Sequence, residues 1–491
     1  MKYIQKLVMF IIYTQFAVSC SNLDDINENH NYPSQVSPQL LLTKIQKEAG
    51  KVEGLDPLYS MRMVILTSEE NPYQYYKWNS GKFDDYLNLL QVIKMIEEAN
   101  RVNNTNYLAI GKFFRAFYFY RLTLTFGDIP YNEALSGETQ GIFTTRYDTQ
   151  ETVLEGILNE LEEAVNMINA TQSVNGDLYY SGNMQKWRKL MNSYRLKILL
   201  SLSKKTKVGS VIIGQKFKGI FENEPIISSN SDNAQLPFYD QEGSRYTQFN
   251  SSTYASSLYL SDSFIEFFRE RKDPRIFTFA QQTVASAEKG LPITDYNSYH
   301  GGNPIVPYAE NEKLVAEKNI SKINNRFYSD PVNEPYTLLS YSETEFILAE
   351  ATVRGWIASN AGQHYENAIK ASFEYYQTYV KNAENYFKNF NMNEYLSQES
   401  VKYKTENTQS QLNQILTQKY MIMFHQSGWT AYQDYLRTGY PELPQQQQIS
   451  APVRWMYPIT EYNKNPVNVK EAIERQFGGN DNTRSTPWWL K

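Results

Sequence analysis

Hydrophobic and polar residues alternate along most of the chain with the three- and four-residue spacing of an amphipathic helix. Residues 84 to 101 carry one apolar stripe of this kind, and residues 107 to 126 form a longer apolar and aromatic segment that ends at Gly127. The clearest stripe follows Glu151 and contains Val153, Leu154, Ile157, Leu158, Leu161, Val165 and Ile168. The pattern therefore predicts a protein built mainly from α-helices.

Residues that start and stop helices divide this pattern into separate elements. Side chains that cap helix N-termini stand at four places: Ser37 before Pro38, Asp148 with Glu151, Asn183, and Ser342 with Glu345. Gly50 and Gly355 follow the first and the last of these helical runs as stop signals. With further runs at residues 364 to 379 and 411 to 425, we expect eight or more helices, mostly in sequential antiparallel pairs.

A long segment between the helical regions lacks this periodicity. Residues 205 to 340 consist of short runs rich in Gly, Pro, Asn and Ser, with one helical piece at residues 261 to 270. Because loops on a rigid scaffold commonly carry recognition residues, we expect ligand specificity to be built in this insert. We expect residues 37 to 491 to form a single helical domain that includes the insert.

The first 36 residues have a different character. Lys2 and Lys6 precede an apolar run at residues 7 to 18, which is shorter than the about 20 residues needed to cross a bilayer. Residues 1 to 19 are therefore interpreted as a secretory signal peptide. Ser19 before Cys20 resembles a bacterial lipobox, in which Cys20 becomes the first mature residue and carries a diacylglycerol. The alternative is a plain secretory signal with an unmodified Cys20.

The segment after Cys20 predicts a connection between a lipid bilayer and the fold. Residues 20 to 36 are polar and show no helical or strand periodicity. Such a composition is typical of a flexible tether. A protein anchored in this way would be attached to the membrane through the acylated Cys20 rather than through a spanning helix.

Charge and composition exclude several classes of function. The 48 basic and 53 acidic residues give a net charge of -5 without a basic cluster, so nucleic acid is not an expected partner. The single Cys excludes zinc ribbons, iron–sulfur clusters and dithiol redox chemistry. His30, His300, His364 and His425 lack metal-ligand spacing, and there is no Gly-rich nucleotide loop, so we expect neither a metal site nor a cofactor.

Several short motifs resemble catalytic sequences but do not form a complete catalytic set. SLSK at residues 201 to 204 and SDN at residues 231 to 233 resemble part of the acyl-enzyme set of penicillin-binding proteins, but only Arg-Thr-Gly at residues 437 to 439 stands for the third element. Adjacent acids such as Asp84 and Asp85 fall on or near predicted helices, where solvated faces explain them. We therefore predict no enzyme and no catalytic residues; a glycosidase with an acid pair is the enzymatic alternative.

Aromatic residues in predicted loops suggest carbohydrate binding. A sugar site needs rings that stack on the C–H face of a pyranose, framed by amide and hydroxyl groups that bond to its hydroxyls. The candidate ligand-binding residues are Tyr73, Tyr75, Tyr76, Trp78 and Asn79 in the string NPYQYYKWN at residues 71 to 79, and Tyr296, Tyr299 and Tyr328 in the insert. The other tryptophans are predicted to be core residues: Trp187, Trp356, Trp429, Trp455, Trp488 and Trp489.

Several strings, in order along the chain, carry a resemblance to a known family. FGDIPYNEAL at residues 126 to 135 matches a GD-P-Y-EA pattern after a long helix. Longer matches are SYSETEFILAEATVRGW at residues 340 to 356, FHQSGWTAYQDYLRTGYPEL at residues 424 to 443, and the tail strings RWMYPITEYNKNPVN and GGNDNTRSTPWW. On these residues the chain resembles the SusD/RagB family of nutrient-binding outer-membrane lipoproteins, especially its second, SusD-like subgroup.

The resemblance implies a fold and a function. The fold would be all-α, with four tetratricopeptide-like helical hairpins, a large irregular loop insert and minor short strands. The protein would lie on the outer surface of the outer membrane, anchored through Cys20, as a lid on a SusC-type TonB-dependent transporter. It would bind an oligosaccharide and perform no chemistry.

Two further alternatives remain open. The first is a peptide-binding member of the same family, which a more charged groove with fewer exposed aromatic residues would favour. The second is a scaffold that binds only a protein partner. The absence of a ligand-sized pocket beside residues 73 to 78 would favour that second alternative.

Overall fold

The computed structural model of the protein describes residues 36 to 491, and helices form most of its regular structure. The helices are α1 (Pro38–Ala49), α2 (Asp56–Ser60), α3 (Asp84–Arg101), α4 (Thr105–Phe126), α5 (Gly137–Gln140), α6 (Gln150–Met167), α7 (Met184–Ser201), α8 (Ile213–Asn223), α9 (Ser252–Ser256), α10 (Asp262–Arg269), α11 (Arg275–Phe279), α12 (Val284–Glu288), α13 (Tyr308–Ala316), α14 (Arg326–Ser329), α15 (Tyr341–Val353), α16 (Ala361–Tyr379), α17 (Ala383–Phe387), α18 (Met392–Ser397), α19 (Thr408–Met421), α20 (Thr430–Thr438), α21 (Ile459–Lys464) and α22 (Pro466–Phe477). Short 3₁₀ turns occur at Asn230–Asp232, Tyr296–Ser298 and Trp488–Leu490.

Short strands complete the fold in the same part of the chain. They are β1 (Val64–Leu66), β2 (Lys207–Val208), β3 (Val211–Ile212), β4 (Ala234–Leu236), β5 (Leu258–Leu260) and β6 (Tyr336–Leu339). They form two-stranded antiparallel pairs, β1 with β5, β2 with β3, and β4 with β6. The predicted all-α class with minor short strands is therefore confirmed.

Successive long helices pack side by side. α3 packs against α4, α4 against α6, and α6 against α7, while α15 packs against both α16 and α19. α4 is central to the first group, because it buries residues on all of its sides, including Phe113, Phe114 and Phe117. A helix that is apolar all round has to lie inside a protein. The aromatic run that the sequence shows at residues 107 to 126 is thus the reason why α4 lies in the core.

Two predicted helix starts are displaced by one or two residues. Thr149, rather than Asp148, caps α6. Asp148 instead accepts a hydrogen bond from the backbone N–H of Tyr131 and so ties the loop after α4 to the start of α6. Ser340, rather than Ser342, caps α15. In both cases the predicted cap residue lies within two residues of the true cap and uses its side chain for a different contact.

The insert at residues 205 to 340 contains more regular structure than predicted. α10 corresponds to the predicted helical piece, but α8 and several helices of four to nine residues also lie in the insert. The sequence signal for α8 is weak because its N-terminus has no side-chain cap. β5 pairs with β1, so backbone hydrogen bonds join the insert to the segment before it, whereas β4 pairs with β6 at the C-terminal end of the insert itself.

The predicted N-terminal features lie outside the described residues. These are the signal peptide at residues 1 to 19, the lipidation site Cys20 and the tether at residues 20 to 36, of which only residue 36 is described. They stay predictions, as does the single domain at residues 37 to 491. Within residues 36 to 491, no helix has the length and apolar character needed to cross a membrane.

Candidate ligand-binding cleft

The loop at residues 71 to 79 follows β1 and is fixed by hydrogen bonds to its backbone. The Asn71 Oδ1 atom accepts from the backbone N–H groups of Tyr73 and Gln74, at 2.9 and 3.1 Å, as in an Asx turn. The Gln74 side chain accepts from the N–H of the last residue of β1 at 2.9 Å. The buried Arg62 guanidinium donates to the Gln74 carbonyl. The loop is thus held against β1 in one conformation.

Two predicted site residues of this loop, Tyr75 and Tyr76, are buried. They are 5% and 2% exposed. The Tyr75 hydroxyl donates to the Val306 carbonyl and the Tyr76 hydroxyl to the Ser60 carbonyl, each at 2.9 Å. Asn79, which was also predicted, is exposed at the end of the loop. The two tyrosine hydroxyls are therefore used inside the protein, whereas the Asn79 side chain is accessible.

Trp78 lies inside a group of six rings, which we call the aromatic cluster. Its members are Tyr73, Tyr76, Trp78, Trp429, Tyr432 and Trp455. Trp78 stacks on Tyr73 and Trp455, with ring centroids 5.1 and 5.3 Å apart. Because Trp78 is only 5% exposed, it supports the orientation of its neighbours more than it presents a surface of its own.

The outer members of the aromatic cluster are Tyr73, Trp429 and Trp455. All three are half-buried and line an open cleft of about 410 Å³, which we call the central cleft. Trp429 and Trp455 meet edge to face, with ring centroids 4.7 Å apart. The prediction that these two tryptophans are core residues is wrong, because part of each side chain is accessible from the central cleft.

The backbone explains why these two tryptophans reach the surface. Trp429 precedes the first residue of α20 and follows Ser427 and Gly428, which both have positive φ angles, 59° and 53°. The Ser-Gly pair is the sequence signal that Trp429 begins a helix rather than lying on its apolar face. The backbone N–H of Trp455 donates to the Thr125 carbonyl at 2.9 Å, where the C-terminal segment passes the end of α4. No comparable local signal marks Trp455.

The principal cations in the wall of the central cleft are paired with acids. Arg121 of α4 donates to Asp85 at 2.9 Å and also bonds to Glu53. Burial alone would lower the pKa of Arg121, but the two carboxylates raise it well above its ordinary value. Lys197 of α7 lies 2.9 Å from Glu343. Arg121 and Lys197 are therefore neutralised within the protein and are not free to hold an anionic ligand.

Asp56 at the start of α2 is a further acid in the wall of the central cleft. The pKa of Asp56 is raised to about 6, because burial and the charge of Glu53 raise it more than the interaction with the Tyr73 hydroxyl lowers it. Tyr73, a member of the aromatic cluster, and Asp56 therefore line the same cleft.

Neutral polar groups complete the lining. They are the side chains of Ser80, Thr125, Ser427, Thr430 and Gln433. Rings that can stack, beside hydroxyl and amide groups that can donate and accept hydrogen bonds, suit a neutral polyhydroxylated ligand. Within residues 36 to 491, no group of three or more His, Cys, Asp or Glu side chains could hold a metal ion.

The three predicted residues of the insert do not line the central cleft. Tyr299 is 2% exposed and its hydroxyl donates to the Ile293 carbonyl at 2.6 Å. The Tyr328 hydroxyl accepts from the Gln281 amide at 3.3 Å. Tyr296 is half-buried and lines a different cleft. Tyr73 and Tyr296, the two accessible tyrosines among the predicted residues that line a cleft, therefore belong to separate sites.

A family model matches most of the chain. It describes SusD-like proteins, with the description "Starch-binding associating with outer membrane", and it matches residues 30 to 458. Among curated proteins, none matches this chain.

Solved structures of bacterial proteins are similar over nearly the whole chain. A SusD homologue from Bacteroides fragilis is 46% identical with a TM-score of 0.89, and a protein from Bacteroides vulgatus is 44% identical with a TM-score of 0.90. Each comparison covers 93% of this chain and 100% of the other chain. A chitin-binding SusD homologue from Flavobacterium johnsoniae is 18% identical with a TM-score of 0.73, covering 92% of this chain and 98% of the other, and this likeness shows the fold alone.

Proposed function

The chain belongs to the SusD-like family of starch-binding proteins that associate with the outer membrane, and from this premise we propose that it captures an oligosaccharide in the central cleft. The protein then delivers the oligosaccharide to a SusC-type TonB-dependent transporter. Acylated Cys20 holds it on the outer surface of the outer membrane. The observation that supports this proposal most is the meeting of Tyr73, Trp429 and Trp455 at one open cleft of ligand size.

Stacking on the outer rings of the aromatic cluster supplies the main attraction. A pyranose ring that lies against Trp429 or Trp455 buries its C–H face on an indole whose orientation is already fixed by the cluster. Its hydroxyl groups then bond to neutral side chains such as Gln433 and Ser427 and to the carboxyl group of Asp56. Because the rings do not have to reorganise, little conformational entropy is lost on binding.

The charges of the cleft orient the ligand but do not transform it. Asp85 and Glu53, the two acids that flank Arg121, are held in ion pairs with it. A glycosidase needs one carboxyl group as a proton donor and a second as a base or nucleophile. Asp85 and Glu53, held by a permanent cation, are poorly suited to the proton-donor role, which supports binding without turnover. Asp56, whose pKa is raised to about 6, is the acid of the cleft that could hold a proton, so turnover has to be tested directly. Incubation with the bound oligosaccharide, followed by chromatography of the sugars, should recover it unchanged.

A site built from stacking and neutral hydrogen bonds gives micromolar or weaker affinity. Retention on the cell surface then depends on the tether at residues 20 to 36 and on closure over the transporter, because both raise the effective concentration of the captured ligand. Deleting Cys20 should leave the affinity of the purified protein unchanged and should remove the protein from the cell surface.

Calorimetric titration with a panel of malto-oligosaccharides and chito-oligosaccharides tests the proposal. Trp455→Ala should weaken the binding of the best ligand about tenfold, since one stacking contact of about 1.4 kcal/mol is lost. Trp356→Ala is the matched control, because Trp356 is also half-buried but packs on Phe217, outside the central cleft. Equal affinity of wild type and Trp455→Ala, with both proteins folded, would contradict a site in the central cleft.

A peptide ligand is the second candidate, and Asp56 and Asp84, two lining acids outside the Arg121 ion pairs, favour it, although the exposed Lys82 lines the same cleft. Asp84 is exposed at the rim, near Asp56 and the Arg121 ion pairs. A basic peptide could bond to these acids, although it would make less use of the aromatic rings. Titration with a basic and an acidic peptide of equal length separates the two candidates. Binding of the basic peptide alone, in protein that binds no sugar of the panel, would replace the oligosaccharide by a peptide.

The scaffold alternative loses its main support. The absence of a ligand-sized pocket beside residues 73 to 78 would have favoured it, whereas Tyr73 borders a cleft of about 410 Å³. Volumes of about 300 to 1,000 Å³ are typical of small-molecule sites.

A further inference from the structure

A second cleft of about 360 Å³ lies where the insert meets the segment between α16 and α19. Its lining includes Tyr296 from the insert and Tyr386 and Phe390 from the later segment. No residue lines both this second cleft and the central cleft. The two clefts are therefore separate places on the molecule.

The accessible rings of the second cleft are supported from behind by buried rings. Tyr296 packs on the buried Phe277, with ring centroids 4.8 Å apart. Phe390 stacks on the buried Phe373 at 4.3 Å, with the ring planes only 8° apart. Tyr296, Tyr386 and Phe390 are each half-buried. Each of these rings thus keeps an accessible part. Tyr296 and Phe390 are each also supported by a buried ring.

Hydroxyl and amide groups surround these rings. Among residues 36 to 491, none forms a hydrogen bond with the Tyr296 or Tyr386 hydroxyl or with the Asn389 amide. The Asn391 Oδ1 atom caps α18 by accepting from the N–H groups of Asn393 and Glu394, which leaves the N–H groups of its amide for a ligand. The second cleft therefore offers both donors and acceptors that the protein itself does not use.

The floor of the second cleft is made rigid by a buried ion pair. Arg275 and Asp273 are both fully buried, and the guanidinium donates to the carboxylate at 2.6 Å. The hydroxyl of Tyr395, a buried residue of the lining, also donates to Asp273 at 2.6 Å. The Arg275 guanidinium lies 4.4 Å from the centre of the Phe373 ring that supports Phe390. Breaking these bonds would leave charges unpaired in the core, so the floor resists collapse.

The charge of the second cleft is low. Its charged lining residues are Lys272 and Glu394, which are both exposed and of opposite sign. Exposed charges contribute little binding energy because water and salt screen them. Three accessible rings beside free amides and hydroxyls, with no net charge, suit a neutral sugar.

We propose that the second cleft is a separate binding site for a neutral oligosaccharide, in which Tyr296 and Tyr386 stack on or bond to a pyranose ring. The ligand class rests on the proposed function, but the location does not. The protein would then bind two short oligosaccharides at once, or contact one long glycan at two places. In the second case the affinity for long chains exceeds that for short ones by avidity.

Calorimetric titration with short malto- and chito-oligosaccharides tests this proposal through the number of binding sites. The wild type should bind two molecules, and Trp455→Ala and Tyr386→Ala should each lose or weaken one site. The double variant should lose both. Tyr239→Ala is the control, since Tyr239 is 56% exposed and lies outside both clefts.

A second variant keeps the test independent of folding. Asn389→Ala changes an exposed side chain and should weaken the second site about threefold while leaving the thermal unfolding temperature unchanged. A stoichiometry of one that Tyr386→Ala and Asn389→Ala leave unaltered would overturn the second site and leave the central cleft intact. Loss of all binding in Tyr386→Ala, with no effect of Trp455→Ala, would support the second site and refute the proposed site in the central cleft.

Discussion

The central cleft and the second cleft use the same residue types but support them in different ways. In the central cleft the rings support one another around Trp78, and Arg121 and Lys197 of the wall are held by acids. In the second cleft each of two rings rests on a buried ring above the Asp273–Arg275 pair. The comparison shows that an aromatic residue becomes available to a ligand when other groups fix it and leave part of it uncovered.

The loop at residues 71 to 79 shows the same rule at short range. Tyr73 and Trp78 are five residues apart and stack on each other, yet Tyr73 is half-buried at the cleft and Trp78 is 5% exposed. One supplies surface and the other supplies support. Substitution of a surface ring such as Tyr73 should therefore change mainly the affinity for ligand. Substitution of a supporting ring such as Trp78 should change mainly the stability.

The largest effect is expected from breaking the support of the second cleft. Asp273→Ala leaves the fully buried Arg275 without its partner and should lower the free energy of unfolding by about 3 to 5 kcal/mol, measured by urea denaturation. Asp240→Ala is the control, since its ion pair with Arg245 is exposed and should contribute less than about 1 kcal/mol. Equal losses in the two variants would show that the buried pair does not stabilise the floor.

The support of the central cleft should be weaker because it lies beside solvent. Trp78→Ala removes a buried indole and should cost about 3 kcal/mol of unfolding free energy, near the lower end of the range for such substitutions. Trp455→Ala should cost less, because that ring is already partly exposed. A Trp455→Ala variant less stable than Trp78→Ala would reverse the assignment of surface and support.

The loss of affinity should follow the opposite order: it should be larger for a ring at the surface of the cleft than for the supporting Trp78. Trp429→Ala should weaken oligosaccharide binding about tenfold, which corresponds to about 1.4 kcal/mol, while its stability loss stays below that of Trp78→Ala. Isothermal titration of both variants at matched fractions of folded protein provides the measurement. The surface role of Trp429 would be refuted by wild-type affinity in this variant.

The smallest effect concerns the acid beside Tyr73. The pKa of Asp56 is about 6 in the folded protein, against an ordinary value of 3.8, so between about pH 4 and 6 the folded state holds a proton that the unfolded chain releases. The contribution of Asp56 to the free energy of unfolding therefore falls as pH rises through this range, while the buried His425, whose pKa burial lowers to about 3, contributes with the opposite sign. Asp56→Asn should reduce that fall by about 1 kcal/mol, after allowance for screening at a half-exposed site.

Two other acids contribute to the pH dependence of unfolding in the same direction as Asp56. Burial also raises the pKa of Asp128 and of Asp262, and both act in the same direction. Part of the pH dependence should therefore remain in Asp56→Asn. Asp84→Asn, which changes an exposed acid of the same cleft, is the control. If urea denaturation between pH 4 and 6 gave the same slope for Asp56→Asn and wild type, the raised pKa would be refuted.

Much of the fold could be predicted from the sequence because it depends on local pattern. The stripe at residues 84 to 101 predicts the bounds of α3, and the apolar segment at residues 107 to 126 predicts the buried α4. Helix caps were displaced where neighbouring polar residues compete for the same role, as at Asp148 and Thr149. The type of each element follows from periodicity, whereas its first residue depends on contacts made elsewhere.

The site was harder to predict because its residues come from distant segments. Tyr73 follows from the loop composition, but Trp455 reaches the central cleft only because the C-terminal segment bonds to the end of α4. Tyr386 and Phe390 lie in a segment that the sequence pattern did not single out, and they meet Tyr296 only in the folded chain. Whether Trp78, Tyr75 and Tyr76 touch a ligand stays a prediction, and their burial favours a supporting role.

A crystal structure with the oligosaccharide that binds most tightly in calorimetry tests the central claim most directly. The account predicts a pyranose ring in van der Waals contact, about 4 Å, with the ring of Trp429 or Trp455 in the central cleft. A sugar bound only at other surfaces, with the central cleft empty of it, would contradict the account.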